Sequence, residues 1–187
     1  MMICQARKED SQKAATLIYD AIHDIAHALT GEKEKVEVLK QLEEYFQQEN
    51  NRMSYRNCFV KMVDEEVVGI VVAYHGKDAM LLDEPIVAHL KDKKGERGFH
   101  IDQEADEEDY YIDTVSVNSQ FSGQGFGTEL LQFICQHAEC SGYSSISLNV
   151  EENNSSARRL YERLGFEQKK NITINNHTFS YLVKQLR

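Results

Sequence analysis

Three stretches of this 187-residue sequence hold residue types at spacings that could do chemistry. In Ser122-Gly123-Gln124-Gly125-Phe126-Gly127-Thr128, glycine recurs at alternate positions between a β-branched run ending in Val115-Ser116-Val117 and an apolar-periodic segment that begins at Phe126. Glycine tolerates positive φ and lets a ligand approach the main chain, and the free N–H groups opening a helix favour phosphate. The chemistry of such a turn is anion binding. A triphosphate loop would need Gly-Lys-Ser/Thr, and Gly127-Thr128 has no lysine. A dinucleotide fingerprint would read G-x-G-x-x-G in an early βαβ unit, whereas this G-x-G-x-G comes late in the chain. A pyrophosphate cradle on a mixed sheet remains.

The second stretch places Asp102, Glu104, Asp106, Glu107, Glu108 and Asp109 together without one Lys or Arg among them. It reads either as a solvated acidic loop or as a rim that concentrates a cationic substrate. The third is His23 and His27, whose i, i+4 spacing is that of a zinc-protease helix. Aspartate stands where the general-base glutamate is required, both rings lie off the apolar face, and a third ligand is missing. Surface histidines and no metal are expected.

Positioning these residues requires a scaffold, which the hydrophobic patterning outlines. Residues 3–7 read as a short strand. Asp10 or Ser11 caps an amphipathic helix whose apolar face (Ala14, Leu17, Ile18, Ile22, Ile25, Leu29) persists to Thr30-Gly31. A second helix spans about residues 35–49 and breaks at Asn50-Asn51. Residues 58–63 and 67–74 form a hairpin across Asp64-Glu65-Glu66, its second strand apolar enough to be buried on both faces. Residues 76–109 form an irregular acidic excursion, helical in pieces interrupted at Pro85, with a charged turn at 91–97. Residues 110–117 alternate as a strand, with Tyr111, Asp113, Val115 and Val117 sharing one face. A helix from Phe126 to about Ser141-Gly142, a strand at 145–150, a short helix capped near Asn154, and a closing hairpin about Asn175-Asn176 complete the chain. Helices followed by a hairpin indicate α+β layering.

The chain as a whole bounds the partners. Its net charge of −10 lacks the basic footprint that nucleic acid or an anionic membrane surface requires. The N-terminus has no apolar core of a signal peptide and no apolar run is long enough to span a bilayer, so a cytoplasmic protein is expected. Cys4, Cys58, Cys135 and Cys140 show no CxxC spacing and read as reduced structural thiols. One domain over residues 1–187, as a monomer or homodimer, accommodates this length.

Taken with a second motif, the glycine loop resembles that of the GNAT N-acetyltransferase family. The family's acyl-CoA loop reads Q/R-x-x-G-x-G/A after a strand ending in valine, and residues 122–127 stand in that place. The N-x-x-A-x-x-L-Y element with its L-G-F close is present as Asn154, Ala157, Leu160, Tyr161, Leu164, Gly165 and Phe166. Ser122 departs from the pattern where Arg or Gln is usual, which removes one long phosphate donor but not the backbone cradle. The resemblance implies a mixed, mostly antiparallel central sheet flanked by helices. It also implies acetyl-CoA as cosubstrate, held by Val115, Val117, Ser122, Gly123, Gln124, Gly125, Phe126, Gly127, Thr128, Asn154, Ala157 and Tyr161, with no metal.

The chemistry then implied is direct acyl transfer to a primary amine. An alkylamine with a pKa of about 10 is protonated at neutral pH, so a base must take a proton before nitrogen attacks the thioester. Asp113, on the strand before the loop, is the first expectation; Glu151 or an acid of residues 102–109, acting through water, is the substitute. The departing thiolate needs a donor, and Tyr161 matches the family's general acid, a role compatible with ring burial. The acidic character points to a cationic small-molecule acceptor, with a protein N-terminus or lysine as alternative, and a catalytically silent CoA-binding sensor as the rival from another class.

Overall fold

The computed structural model describes residues 2–95 and 101–187. Seven strands, β1 (Met2–Gln5), β2 (Cys58–Val63), β3 (Glu66–His75), β4 (Tyr110–Val117), β5 (Ser145–Glu151), β6 (Glu167–Ile174) and β7 (His177–Gln185), form one sheet in the order β1-β2-β3-β4-β5-β7-β6. Only the β4–β5 pairing is parallel; the others are antiparallel. Helices α1 (Ser11–Ile22), α2 (Asp24–Thr30), α3 (Lys35–Gln47), α4 (Ala79–Lys94), α5 (Phe126–Cys140) and α6 (Ser155–Arg163) flank it. The α+β class and the mixed, mostly antiparallel sheet are as expected.

The sheet separates two cores. Ile18, Leu42 and Phe46 of α1 and α3 pack with Val60, Ile70 and Val72 on one face. Leu130, Leu131 and Ile134 of α5 pack with Val71, Ala73, Ile112 and Leu148 on the other. β3 is therefore buried on both sides, which explains its continuous apolar run. Asp64 and Glu65, at φ 48° and 66°, make the two-residue turn of its hairpin, and Asn175-Asn176, at 47° and 64°, make that of the β6–β7 hairpin. Among the described residues, no helix is long and apolar enough to cross a membrane.

Three elements differ from the sequence-based expectation. The single helix expected from residue 11 to 29 is broken at His23, whose backbone turns to φ 41°, ψ −108°. Apolar periodicity runs through that point, so nothing in the pattern announces it. Helix α4 is continuous through Pro85 instead of being interrupted there. Proline leaves the carbonyl four residues back without its helical donor, and the next carbonyl along, that of Leu82, accepts the Arg52 backbone N–H at 3.2 Å. The charged turn expected at 91–97 is still helix through Lys94; its residues 96 and 97 lie outside the described residues.

The third difference lies in β4. Val72 pairs with Thr114 and Ala73 with Ile112, leaving Asp113 as an extra residue, a β-bulge. A bulge shifts the alternation by one. Tyr110 and Ile112 before it, and Val115 and Val117 after it, all pack on the α5 side, while Tyr111 packs with Tyr74 on the opposite side. Strict alternation had grouped Tyr111 and Asp113 with Val115 and Val117. The bulge separates them.

Candidate active site

β4 and β5 pair only through Tyr110↔Ile146, Tyr111↔Ser147 and Ile112↔Leu148. Past these residues the strands diverge, so the main-chain groups that β4 turns towards β5 from residue 113 onward lack a ladder partner. Unpaired backbone in a sheet invites an extended ligand to act as a strand. A cleft of about 580 Å³ opens there, lined by β4 from Tyr111 to Val117, by β5 from Leu148 to Glu151, and by Asn154, Ala157 and Tyr161. Val115 and Val117, which lead into the glycine loop, thus share one cavity with Asn154, Ala157 and Tyr161 of the second motif, far away in the chain.

β4 leaves the cleft at Val117 and runs on through Asn118 into the glycine loop. A short turn, Ser119–Phe121, is capped by Asn118, whose side chain accepts the Gln120 N–H at 3.0 Å. Gly123 and Gly125 follow at φ 77° and 83°, and Gly125 is the N-cap of α5. At that dihedral a side chain would be strained although no atom lies within 4 Å of its Cβ position. The first helical bond runs from the Glu129 N–H to the Gly125 carbonyl, so the N–H groups of residues 123–128 donate to no described acceptor. Ser122, Gly123, Gln124 and Gly125 are exposed, Gly127 and Thr128 half-buried. Phe126 is buried under the Lys61 ammonium, 4.9 Å from its ring centroid. Lys61 itself pairs with Glu129. A row of free donors at a helix N-terminus suits a pyrophosphate.

Helix α6 presents the second motif. Asn154 caps it, its Oδ1 accepting the Ala157 N–H at 3.2 Å. Tyr161 is buried to all but 8%, its ring edge-on to Phe166 at 6.1 Å, and it reaches the cleft wall. Burial pushes its phenol up to about 12, so it stays protonated and able to donate. No described group hydrogen-bonds that hydroxyl.

Asp113 is placed very differently from the expectation of a free base. The bulge turns it away from α5 and onto Arg52. Asp113 Oδ2 accepts from Arg52 Nε at 2.8 Å, Arg52 Nη2 at 2.5 Å and the Tyr74 hydroxyl at 2.7 Å, and Oδ1 accepts from Thr114 at 2.9 Å. With both oxygens so engaged and its side chain only 3% exposed, it is an anchor for Arg52. Arg52 also meets Glu104 at 2.8 Å and Asp83 at 3.5 Å. Burial works against the guanidinium's charge, but the carboxylates of Asp113 and Glu104 outweigh it and hold its pKa well above the ordinary arginine value. Burial likewise raises the Asp83 carboxyl to about 6 against the pull of Arg52.

Neither simple reading of the acidic stretch describes what it does. Asp109 is buried and accepts from Ser145 and Tyr181, each at 2.5 Å. Asp106 pairs with Lys169 and Lys170, Asp102 accepts the Asn175 N–H, and Glu104 joins Arg52; only Glu107 and Glu108 of the six are exposed. Gly76 seats the segment, since a Cβ there would stand 2.0 Å from the Asp106 carbonyl oxygen. The acids form a strap stitched to the sheet.

The cleft is nonetheless acidic. Asp20, Asp24, Glu104, Asp113 and Glu151 line it, against Arg52 as the single Lys or Arg among its lining residues. Glu151 has no described hydrogen-bond partner for its carboxylate. The break at His23 brings Asp20 and Asp24 to this wall, and Asp24 meets His177 of the β6–β7 hairpin at 3.4 Å. His27 is engaged with the Glu32 carbonyl at 3.0 Å and Tyr19 at 3.4 Å. Sequence reasoning missed Arg52, Tyr111 and Asn149. A buried aspartate demands a cation, but no spacing rule points from residue 113 back to 52.

Comparison with known proteins fits this geometry. Residues 19–166 match the model of the acetyltransferase (GNAT) family. The spermine/spermidine N(1)-acetyltransferase of Bacillus subtilis strain 168 is 32% identical over 77 residues, 41% of this chain and 49% of that protein. The chain thus spans about half the length of the curated relatives it matches. Among solved structures, one described as an acetyltransferase superposes with a TM-score of 0.84 at 29% identity, covering 100% of both chains. An N-acetyltransferase from Staphylococcus aureus Mu50 superposes at 0.83 and 25% identity, over 98% of this chain and 100% of the other.

Proposed function

The chain belongs to the acetyltransferase (GNAT) family, and on that premise we propose that it transfers an acetyl group from acetyl-CoA to a primary amine of a small cationic acceptor. The observation that carries this is the cleft between the diverging β4 and β5, lined by carboxylates and followed along the chain, just past Val117, by the free N–H groups of the glycine loop. The pyrophosphate of CoA rests on the N–H groups of residues 123–128, and the pantetheine runs along the unpaired edge of β4 at Val115 and Val117. Ser122 contributes no long side-chain donor, so the backbone carries the phosphate contacts.

Acetyl transfer follows from the remaining groups. Glu151 takes a proton from the acceptor ammonium, directly or through water, which frees the nitrogen lone pair. Nitrogen attacks the thioester carbonyl carbon, the C–S bond breaks, and the thiolate takes the Tyr161 hydroxyl proton as the nitrogen loses its second proton to solvent; Tyr161 then regains a proton from water and Glu151 gives up the one it took. The net products are the acetamide, CoA thiol and one proton. A cationic acceptor is favoured because the chamber holds five lining carboxylates and one arginine, and the B. subtilis relative named for spermine and spermidine is consistent with it.

The test is thiol release from acetyl-CoA with a panel of amines at low and high salt. Cationic amines turn over best and lose the advantage as salt rises. Tyr161→Phe lowers kcat by about a hundredfold or more while CoA affinity stays unchanged. Stabilisation by CoA with no thiol release for any amine would make the chain a CoA-binding sensor instead.

A further inference from the structure

Asn149 is the first residue of β5 beyond its last pair with β4, as Asp113 is on the other strand. It stands at the crotch where the strands part. Its Nδ2 donates to the Glu104 carbonyl and to the Tyr111 hydroxyl, each at 2.9 Å. The Glu104 carbonyl can only accept, so the amide orientation is fixed and Oδ1 points the other way. That Oδ1 is buried and no described group donates to it, yet Asn149 lines the cleft. A buried carbonyl oxygen without a donor is destabilising, and what completes it must bring an N–H or O–H.

The charge around it says which kind of donor. Tyr111 in turn donates its hydroxyl hydrogen bond to Glu104 Oε2 at 2.8 Å, and Glu104, Asp113 and Asp83 together surround the one guanidinium of Arg52. Three carboxylates against one cation leave the crotch short of positive charge. A neutral donor would satisfy Oδ1 alone; a cationic one answers both deficits.

We infer that Asn149 Oδ1 seats the reacting ammonium of the acceptor at the point where β4 and β5 diverge, in the field of the Glu104 carboxylate that Tyr111 links to the same amide. This rests on the proposed acetyl transfer for its role, but the seat itself is a matter of binding. A primary alkylammonium suits it, since one N–H reaches Asn149 Oδ1, its charge answers the surplus of carboxylates, and the alkyl chain leaves towards Asp20 and Asp24. The seat also explains why Asp113 is turned onto Arg52: a second free carboxylate in the crotch would compete with Glu151 for the proton. Asn149 and Glu151 lie two residues apart on one face of β5, so the seated nitrogen is within a water's reach of the base.

The probe is n-butylammonium, titrated by calorimetry into the wild-type chain and variants with CoA bound. Wild type binds it, and Asn149→Ala weakens binding roughly tenfold with CoA affinity unchanged. In turnover, the same variant raises the amine KM more than it lowers kcat. Should Asn149→Ala fail to fold, Asn149→Asp, which keeps an acceptor oxygen, retains binding, and Glu104→Gln weakens it. Wild-type affinity in Asn149→Ala, or no binding of n-butylammonium by the wild type, overturns the inference. Asn149-dependent binding without acetyl transfer to any amine would leave the seat standing and remove the proposed reaction instead.

Discussion

The two ends of the cleft are built by opposite means. The end that would hold CoA is one continuous run, residues 115–128, whose donors are main-chain N–H groups and whose shape is set by two glycines at positive φ. The acceptor end is gathered from across the chain: Arg52 reaches Asp113 over 61 positions, and Asp24 approaches Asn175 over 151. One end depends on local backbone conformation and tolerates side-chain change. The other depends on buried carboxylates gathered around one cation, and fails when that cation is removed.

That contrast can be broken by experiment. Arg52→Leu leaves three carboxylates around no cation, and removing one partner of a buried ion cluster costs about 3–5 kcal/mol. Urea unfolding should register that loss; one below about 1 kcal/mol would mean that the acceptor end is not held by charge. Gly125→Glu acts on the other end, placing a carboxylate where phosphate should lie. CoA affinity should fall on the order of a hundredfold, about 2.7 kcal/mol, while n-butylammonium binding persists. Loss of both together would show the two ends to be one coupled unit.

Asp83→Asn sharpens the contrast with a smaller effect. The folded-state carboxyl is raised to about 6 from an ordinary 3.8 by burial, so the folded state binds the proton more tightly than the unfolded chain. Its contribution favours folding below pH 3.8 and is lost as pH rises through about 6. At pH 7 the wild type keeps a partly buried charge that the variant lacks. The variant's Tm advantage should therefore be greatest near pH 7 and shrink as pH falls towards 4, by a few degrees. A difference independent of pH would put the Asp83 carboxylate outside the balance around Arg52.

The same contrast decides what the sequence disclosed. The glycine loop, Asn154 and Tyr161 were legible because capping, positive φ and helix spacing are properties of neighbouring residues. Strands and helices were legible from period, apart from three places. His23 breaks a helix without a proline or glycine, Pro85 sits in one without breaking it, and Asp113 adds a residue that no alternation rule anticipates. The partners of Asp113 were illegible for a different reason. Charge balance is enforced in space, and the residue that answers Asp113 is fixed only once α3, β3 and the acidic strap have come together.

The bulge at Asp113 also governs how this strand can change length. Ile112 and Val115 face the same side across it, so removing Asp113 would restore regular alternation and leave Val115 and Val117 on the α5 face. Here β4 can lose one residue without transposing the two substrates' walls. What such a shortening takes away is the carboxylate that holds Arg52.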